Sequence, residues 1–265
     1  MSDEKLHISL IQCDLSWEKP TDNRRHLQNL LADLPKETDL VVFPEMFATG
    51  FSMNVTKCAE VMDGESVSWM KEMAKENHTV ISGSLMIQEG NSFYNRFIFA
   101  FPDGKLEFYD KRHLFSMGEE HIHFTPGQER KIFKIKSFRI LPLVCYDLRF
   151  PVFSRNLGDY DLMINVANWP APRRQVWDIL LKARAIENQA YVAGVNRIGS
   201  DAKGINYLGD TCVIDPKGKI MQLGEEKQEQ IVSAKLLKNS LERFRKNFPV
   251  LPDADDFQLS YPVND

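Results

Sequence analysis

Apolar positions along the chain change period several times, and each change marks an element. "LHISLIQCDL" alternates as a strand does, and "TDNRRHLQNLLADL" spaces its leucines as a helix, with Thr21 or Asp22 placed to cap it. "DLVVFPE" is again strand-like, so the chain opens β-α-β. Val67, Met70 and Ala74 keep the i, i+3, i+7 spacing of a helix over residues 65 to 77, and "TVISGSLMI" follows as a buried strand.

From residue 92 to 145 the pattern is strand after strand. "SFYNRFIFAF" leads through a Pro-Asp-Gly turn at 102–104 to "KLEFYDK", and then come "KIFKI" and "FRILPLVC", for which antiparallel pairing is expected. Alternation then returns. "DLMINVAN" and "YVAGVN" flank the clearest helix of the chain, residues 173 to 190, with Val176, Ile179, Leu180, Ala183 and Ile186 on one face. "YLGDTCVIDPKGKIMQL" carries a hairpin signal at Asp-Pro-Lys-Gly, and "QIVSAKL" precedes a basic helix ending at Pro249. With no repeat and no Gly, Ser or Pro-rich linker, one domain over 1–265 is expected, with a C-terminal extension from about 240. So many strands joined by helices and hairpins predict an α/β fold of two face-to-face sheets with helices outside each, four layers in all.

The 265 residues are 43% hydrophobic, enough for a sizeable core, and the net charge of −4 gives no basic footprint for nucleic acid. Cys13, Cys58, Cys145 and Cys212 form no CxxC pair, which speaks against a zinc knuckle or a disulfide scaffold and for a reducing, cytoplasmic setting. "MSDEKLHISL" has no apolar leader core, and no apolar run nears the roughly 18 residues of a membrane span. Small molecules and proteins are the partners this composition suits; no membrane or nucleic-acid partner is expected.

Functional groups in α/β folds collect where strands end. Three strand ends carry chemistry that could combine: Glu45 after Pro44, Lys111 after Asp110, and Cys145 before an abrupt turn to Tyr146, Asp147 and Arg149. Alone, each has an ordinary explanation, because free cysteines are commonly small buried hydrophobes and strand-end charges are commonly solvated. Together they supply a nucleophile, a base and an oxyanion donor without histidine or metal. "GEEHIHF" would place His121 and His123 on one face of a strand beside two acids, but no third metal ligand is signalled, so rim residues are expected there. Asp147 and Arg149 read as an internal ion pair holding the turn.

"FPEMF", "DKRHLF" and "CYDLRFP", in this order and spacing, resemble the carbon-nitrogen hydrolases of the nitrilase superfamily, over nearly the whole chain from "ISLIQCDL" to "GDTCVIDPKG". "RFPVFSRN", "NWPAPR" and "ARAIENQAYVAGVNRIG" are most similar to the bacterial omega-amidases within it. The resemblance implies the nitrilase-type α-β-β-α sandwich, no cofactor, and Glu45, Lys111 and Cys145 as the catalytic trio. It also implies a second glutamate at Glu120, with Glu119 one position away. Many members carry an acid where this chain has Val152, a position outside the chemistry. In the implied mechanism the Cys145 sulfur attacks an amide carbon as Glu45 takes its proton, and Lys111 with the Tyr146 backbone N–H holds the oxyanion.

Omega-amidases act on short dicarboxylate monoamides such as 2-oxoglutaramate, which need a cation for the free carboxylate. Arg173, at the start of the strongest helix, is the candidate, with Phe47, Phe115, Met117 and Trp169 as the apolar wall. The same trio could instead cleave a nitrile, a carbamoyl group or a larger amide. A metal-dependent phosphoesterase would be inactivated by chelators and indifferent to Cys145→Ala, and a scaffold protein would show no thiol-dependent turnover. The family's habit implies a homodimer or larger homo-oligomer, and a C-terminal tail of this length is expected to lie across a surface.

Overall fold

The computed structural model describes residues 4–259. β1 (Lys5–Gln12), β2 (Leu40–Val42) and β3 (Val80–Glu89) run parallel, joined by α1 (Pro20–Leu31) and then by α2 (Val55–Cys58) and α3 (Glu65–Asn77). β4 (Ser92–Ala100) and β5 (Leu106–Asp110) extend this sheet antiparallel. After α4 (Glu120–His123) the chain starts a second sheet with the hairpin β6 (Phe133–Ile135) and β7 (Phe138–Val144). α5 (Pro151–Ser154), β8 (Leu162–Ala167), α6 (Arg174–Glu187) and β9 (Tyr191–Asn196) continue it in parallel. A ribbon of β10 (Ile198–Ser200) and β11 (Asn206–Leu208) precedes the hairpin β12 (Cys212–Ile214) and β13 (Ile220–Leu223) at the sheet's far side. β14 (Gln230–Leu237) returns to pair with β1, and α7 (Lys238–Asn247) follows.

Period-two alternation decides which side chains go where. Leu6, Ile8, Leu10, Phe97 and Phe99 of the first sheet share one core with Ile140, Leu143 and Ile164 of the second, and Phe99 meets Phe133 edge-on at 5.1 Å. Their alternates Ile11, Val41, Ile98 and Ala100 pack instead with Leu27 and Leu31 of α1 and Val67, Met70 and Ala74 of α3. On the other side Trp177 and Leu181 of α6 lie so close to β9 that a side chain at Gly194 would collide with both. The result is the expected α-β-β-α sandwich.

Two expectations are corrected in detail and a third is refined. α1 begins with Pro20 at its first position and Lys19 as cap residue, with no side-chain cap from Thr21 or Asp22, because the proline ring already sets the entry backbone. The antiparallel pairing expected between 92 and 145 is found, and it is divided between the sheets: β4 and β5 pair in the first, β6 and β7 in the second. α6 buries Trp177, Leu181, Arg184 and Ala185, leaving Ile179 and Ile186 exposed. The buried face includes an arginine whose two terminal nitrogens donate to the Leu148 carbonyl at 2.6 Å and Glu187 at 2.9 Å, so hydropathy alone assigned that face to solvent.

The C-terminal helix is held by charge. Fully buried Asp161, at the start of β8, accepts bonds from Arg139, from Lys238 and from Arg245 of α7. Farther on, Gln189 donates to the Phe248 carbonyl and Leu259 packs on the inter-sheet core, so the tail lies across the chain's own surface that far. Burial alone would raise the Asp161 carboxyl, but bonds from Arg139 and Lys238 outweigh it and hold the pKa down at about 2. Against roughly 4 in the unfolded chain, that is worth about 2.5 kcal/mol, fully present above pH ~4 and lost as pH falls toward ~2. Asp161→Asn, which strands three cations, is expected to cost about 3 kcal/mol at pH 7. Urea unfolding at pH 7 and pH 3 should show the gap to wild type narrowing at the lower pH; a gap of equal size at both would contradict this account.

Candidate active site

Glu45, Lys111 and Cys145 each follow the last residues of a strand, β2, β5 and β7, and the sheet packing brings the three ends together. Glu45 and Lys111 are inaccessible to solvent. Lys111 Nζ donates to Glu45 Oε1 at 2.9 Å and to both oxygens of Glu120 at 2.9 and 2.8 Å. Of the two neighbouring glutamates it is Glu120 that meets Lys111: it is fully buried, while Glu119 is exposed and takes a left-handed φ of 62° as the residue before α4. Gly127 donates its N–H to the Lys111 carbonyl at 2.9 Å and leaves no room for a Cβ against the Asp110 carbonyl.

The carboxylates are oriented by groups that the sequence reading passed over. Asn95 Nδ2 bridges Glu45 Oε1 at 2.9 Å and Glu120 Oε1 at 3.1 Å, and its Oδ1 accepts from Ser84. Asn168 donates its backbone N–H to Glu45 Oε2 at 2.9 Å and its side-chain amide to the Glu45 carbonyl at 2.7 Å. The signal for Asn95 and Ser84 was a polar residue at a buried register of a strand. Such a residue must be hydrogen-bonded by something.

Cys145 has a left-handed φ of 46° immediately after β7, a conformation that costs a residue with a Cβ roughly 1 kcal/mol or more. The turn it starts, Cys145–Arg149, is a short 3₁₀ helix. Tyr146 N–H sits at its beginning, where backbone donors have no acceptor inside the helix, so sulfur and a backbone donor lie at one strand end. Desolvation pushes the Cys145 thiol well above its usual range, the charge of Glu45 pushes it further, and Lys111 opposes both. At rest this sulfur is held as a neutral thiol. Lys111 itself is disfavoured as a cation by burial, yet Glu120 and Glu45 more than reverse this and raise it, so it stays charged. Burial raises Glu120 and Lys111 acts against that.

Outward from Cys145 opens a pocket of about 270 Å³ whose lining includes Glu45, Phe115, Met117, Tyr146, Trp169 and Arg173. A family model for carbon-nitrogen hydrolases matches residues 7–246. The chain belongs to the carbon-nitrogen hydrolase family. It is 47% identical over 254 residues to Omega-amidase YafV of Escherichia coli K12, covering 96% of this chain and 98% of that one. With the 2-oxoglutaramate amidase of Bacillus subtilis 168 it shares 33% over 255 residues, covering 94% and 97%. A CN-hydrolase superfamily protein of Xanthomonas campestris, solved with an arsenic adduct in its active site, superposes with a TM-score of 0.94 at 42% identity, over 97% of this chain and all of that one.

Within this carbon-nitrogen hydrolase, three site expectations need revision. Phe47 does not line the pocket; it is fully buried on the outer side of the first sheet, against Phe43 at 5.1 Å and Trp69 at 6.0 Å, because the turn through Met46, with its left-handed φ of 46°, carries it there. Arg149 makes no ion pair with Asp147. Its guanidinium lies over the Trp169 ring at 5.2 Å and lines the pocket, while Asp147 bonds Tyr109, His113 and Val144. His121 and His123 lie on the short helix α4, so the two do not share a strand face. Met117 lines the pocket at its exposed rim, 84% accessible.

Arg173 is in the pocket, over Phe115 at 5.3 Å, and its carbonyl accepts from Trp169 Nε1 at 2.8 Å. Neither Arg149 nor Arg173 has a carboxylate partner among the described residues, whereas neighbouring Arg174 is tied to Asp210 and Glu226. Lys203 and Ile205 on the β10–β11 loop and Tyr207 of β11 complete the wall, and no motif in the chain points to them.

Proposed function

We propose that this chain hydrolyses the terminal amide of short dicarboxylate monoamides, of the 2-oxoglutaramate and 2-oxosuccinamate type, to carboxylate and ammonia. The observation that carries this reading is the pocket's charge arrangement: the Cys145 thiol and the Glu45 carboxylate at its floor, with the Lys111 ammonium bonded behind that carboxylate, and two arginines without carboxylate partners in its wall. A guanidinium stacked on an aromatic ring keeps its edge N–H groups free for a bidentate carboxylate. The names of the Escherichia coli and Bacillus subtilis relatives support the same substrate class.

In the reaction so read, Glu45 accepts the Cys145 proton as sulfur attacks the amide carbon. The oxyanion forms beside Lys111 Nζ and Tyr146 N–H. Glu45 returns the proton to the leaving nitrogen, ammonia departs, and a thioester remains. Water, deprotonated by the same carboxylate, attacks the thioester, and the second tetrahedral intermediate collapses to release the acid and restore the thiol. Glu120 holds Lys111 in place.

The test is ammonia release from 2-oxoglutaramate, 2-oxosuccinamate, glutamine, a neutral aliphatic amide and a nitrile. Turnover should favour the two oxo-acid monoamides by a factor on the order of 100, as expected where buried charge must be matched. Arg149→Met should erase that preference mainly through KM. Equal rates on the neutral amide would sink the proposed substrate class and leave a hydrolase of other amides.

No helix among the described residues is long and apolar enough to cross a membrane. The cysteines are all free, which supports the cytoplasmic reading. Exposed Ile179 and Ile186 on α6, together with Val152 and Leu157 on the segment bonded to the end of that helix, support pairing with a second copy. A monomer mass by solution scattering would remove the homo-oligomer.

A further inference from the structure

Asp147 was expected to hold its own turn; the structure shows it holding two strand ends at once. The carboxylate is fully buried and all its bonds go to groups that flank Lys111 and Cys145. Oδ1 accepts from the His113 backbone N–H at 2.9 Å and from His113 Nδ1 at 2.8 Å. Oδ2 accepts from Tyr109 OH at 2.8 Å and from the Val144 N–H at 3.0 Å. Val144 directly precedes Cys145, and Tyr109 and His113 stand two residues to either side of Lys111.

The link crosses from one sheet to the other. β5, which carries Tyr109, lies at the edge of the first sheet, and β7, which carries Val144, in the second. Among the described residues no backbone–backbone hydrogen bond joins segment 109–113 to segment 144–150. Tyr109 OH also accepts from Arg112 N–H at 3.0 Å, closing the turn around Lys111. Burial and the neighbouring Asp147 charge keep that phenol protonated, so it remains a donor to the carboxylate. His113 is fixed on its other side by face-to-face stacking on Phe150 at 3.8 Å, one residue beyond the Cys145–Arg149 turn. A cysteine in a left-handed conformation does not stay there unaided, and the Asp147 bond to Val144 N–H fastens the chain just before it.

We infer that Asp147 is a positioning residue that sets the distance and angle between the Cys145 sulfur and the Lys111 ammonium through its bonds to Tyr109, His113 and Val144. The inference rests on Cys145 and Lys111 being the reacting pair. Asp147 itself offers nothing to a substrate: it is fully buried and both of its oxygens are taken up by Tyr109, His113 and Val144. Its effect is carried entirely by geometry, so it acts on the chemical step and leaves substrate capture by Arg149 and Arg173 intact.

The experiment measures kcat and KM for 2-oxoglutaramate, with folded fraction by circular dichroism, in wild type, Asp147→Asn, Tyr109→Phe and Asp161→Asn. An amide in place of the carboxylate presents a donor group to Tyr109 OH or Val144 N–H, so at least one clamp bond is lost. Misplacement of about 1 Å should lower kcat on the order of 100-fold with KM within about threefold. Tyr109→Phe, which loses one bond, should fall about 10-fold, while Asp161→Asn, destabilised at a site remote from the pocket, should keep its kcat within about twofold. A kcat within about threefold of wild type in folded Asp147→Asn would overturn the inference, as would an equal loss in Asp161→Asn. Should Asp147→Asn not fold, Tyr109→Phe decides alone: a kcat loss at constant KM supports the clamp, and an unchanged kcat overturns it. Wild-type turnover that survives Cys145→Ala would instead overturn the reacting-pair assignment on which the inference stands.

Discussion

Cys145→Ala is expected to lose ammonia release by a factor of roughly 10⁴ or more, because removing a covalent nucleophile leaves only binding and the oxyanion site. The fold should survive, since the residue is only partly buried and alanine, which keeps the Cβ, leaves the left-handed backbone at φ 46° no more strained than it is with cysteine. Acid-quenched wild type under turnover should carry an acyl mass on the peptide containing Cys145, and the variant none. The protonation state gives this prediction a second arm. Because desolvation and Glu45 hold the thiol well above its usual range, iodoacetamide should alkylate Cys145 at a rate that rises with pH through 9 without a plateau. A plateau near neutrality would mean a resting thiolate, and Glu45 would then have no sulfur proton to take.

The parts of this molecule that could be read from the chain are those where one residue type announces one job. Glu45, Lys111 and Cys145 end apolar runs with groups that a packed strand would not place there, and the alternation of strands and helices sufficed for the two sheets. What could not be read depends on contacts between distant segments. Hydropathy has no term for Arg184 donating to a buried carbonyl, so the face of α6 is misplaced by it; it has none for Asp147 choosing Tyr109 and His113 over the arginine two residues away. Phe47 failed for a related reason. Two residues after Glu45, it was assigned to the pocket by closeness in sequence, yet the backbone reverses at Met46, whose φ is 46°, and sends Phe47 behind the sheet. Arg149 and Lys203 reach the pocket from a turn and a ribbon loop, places where a lone cation usually means solvent.

Lys111→Met tests the electrostatics of the site most directly. Its ammonium is the cation in hydrogen-bond contact with Glu45 and Glu120, both inaccessible to solvent, and methionine keeps the length while removing the charge. Two losses follow. The oxyanion loses a donor, worth a factor of about 10² to 10³ in kcat. Lys111 is also the group that opposes the upward push on the Cys145 thiol, so its removal raises the sulfur proton further out of reach, and the total loss in kcat/KM should exceed about 10³. Stability should fall as well, by roughly 3 kcal/mol, because a buried carboxylate is left without its partner and Glu120, already raised by burial, must take up a proton. The two consequences separate in the double variant Lys111→Met with Glu120→Gln. Removing the surplus carboxylate should restore much of the thermal stability while activity stays lost, since no ammonium faces the oxyanion. Recovery of turnover along with stability would assign Lys111 a purely structural role and leave the oxyanion to the backbone alone.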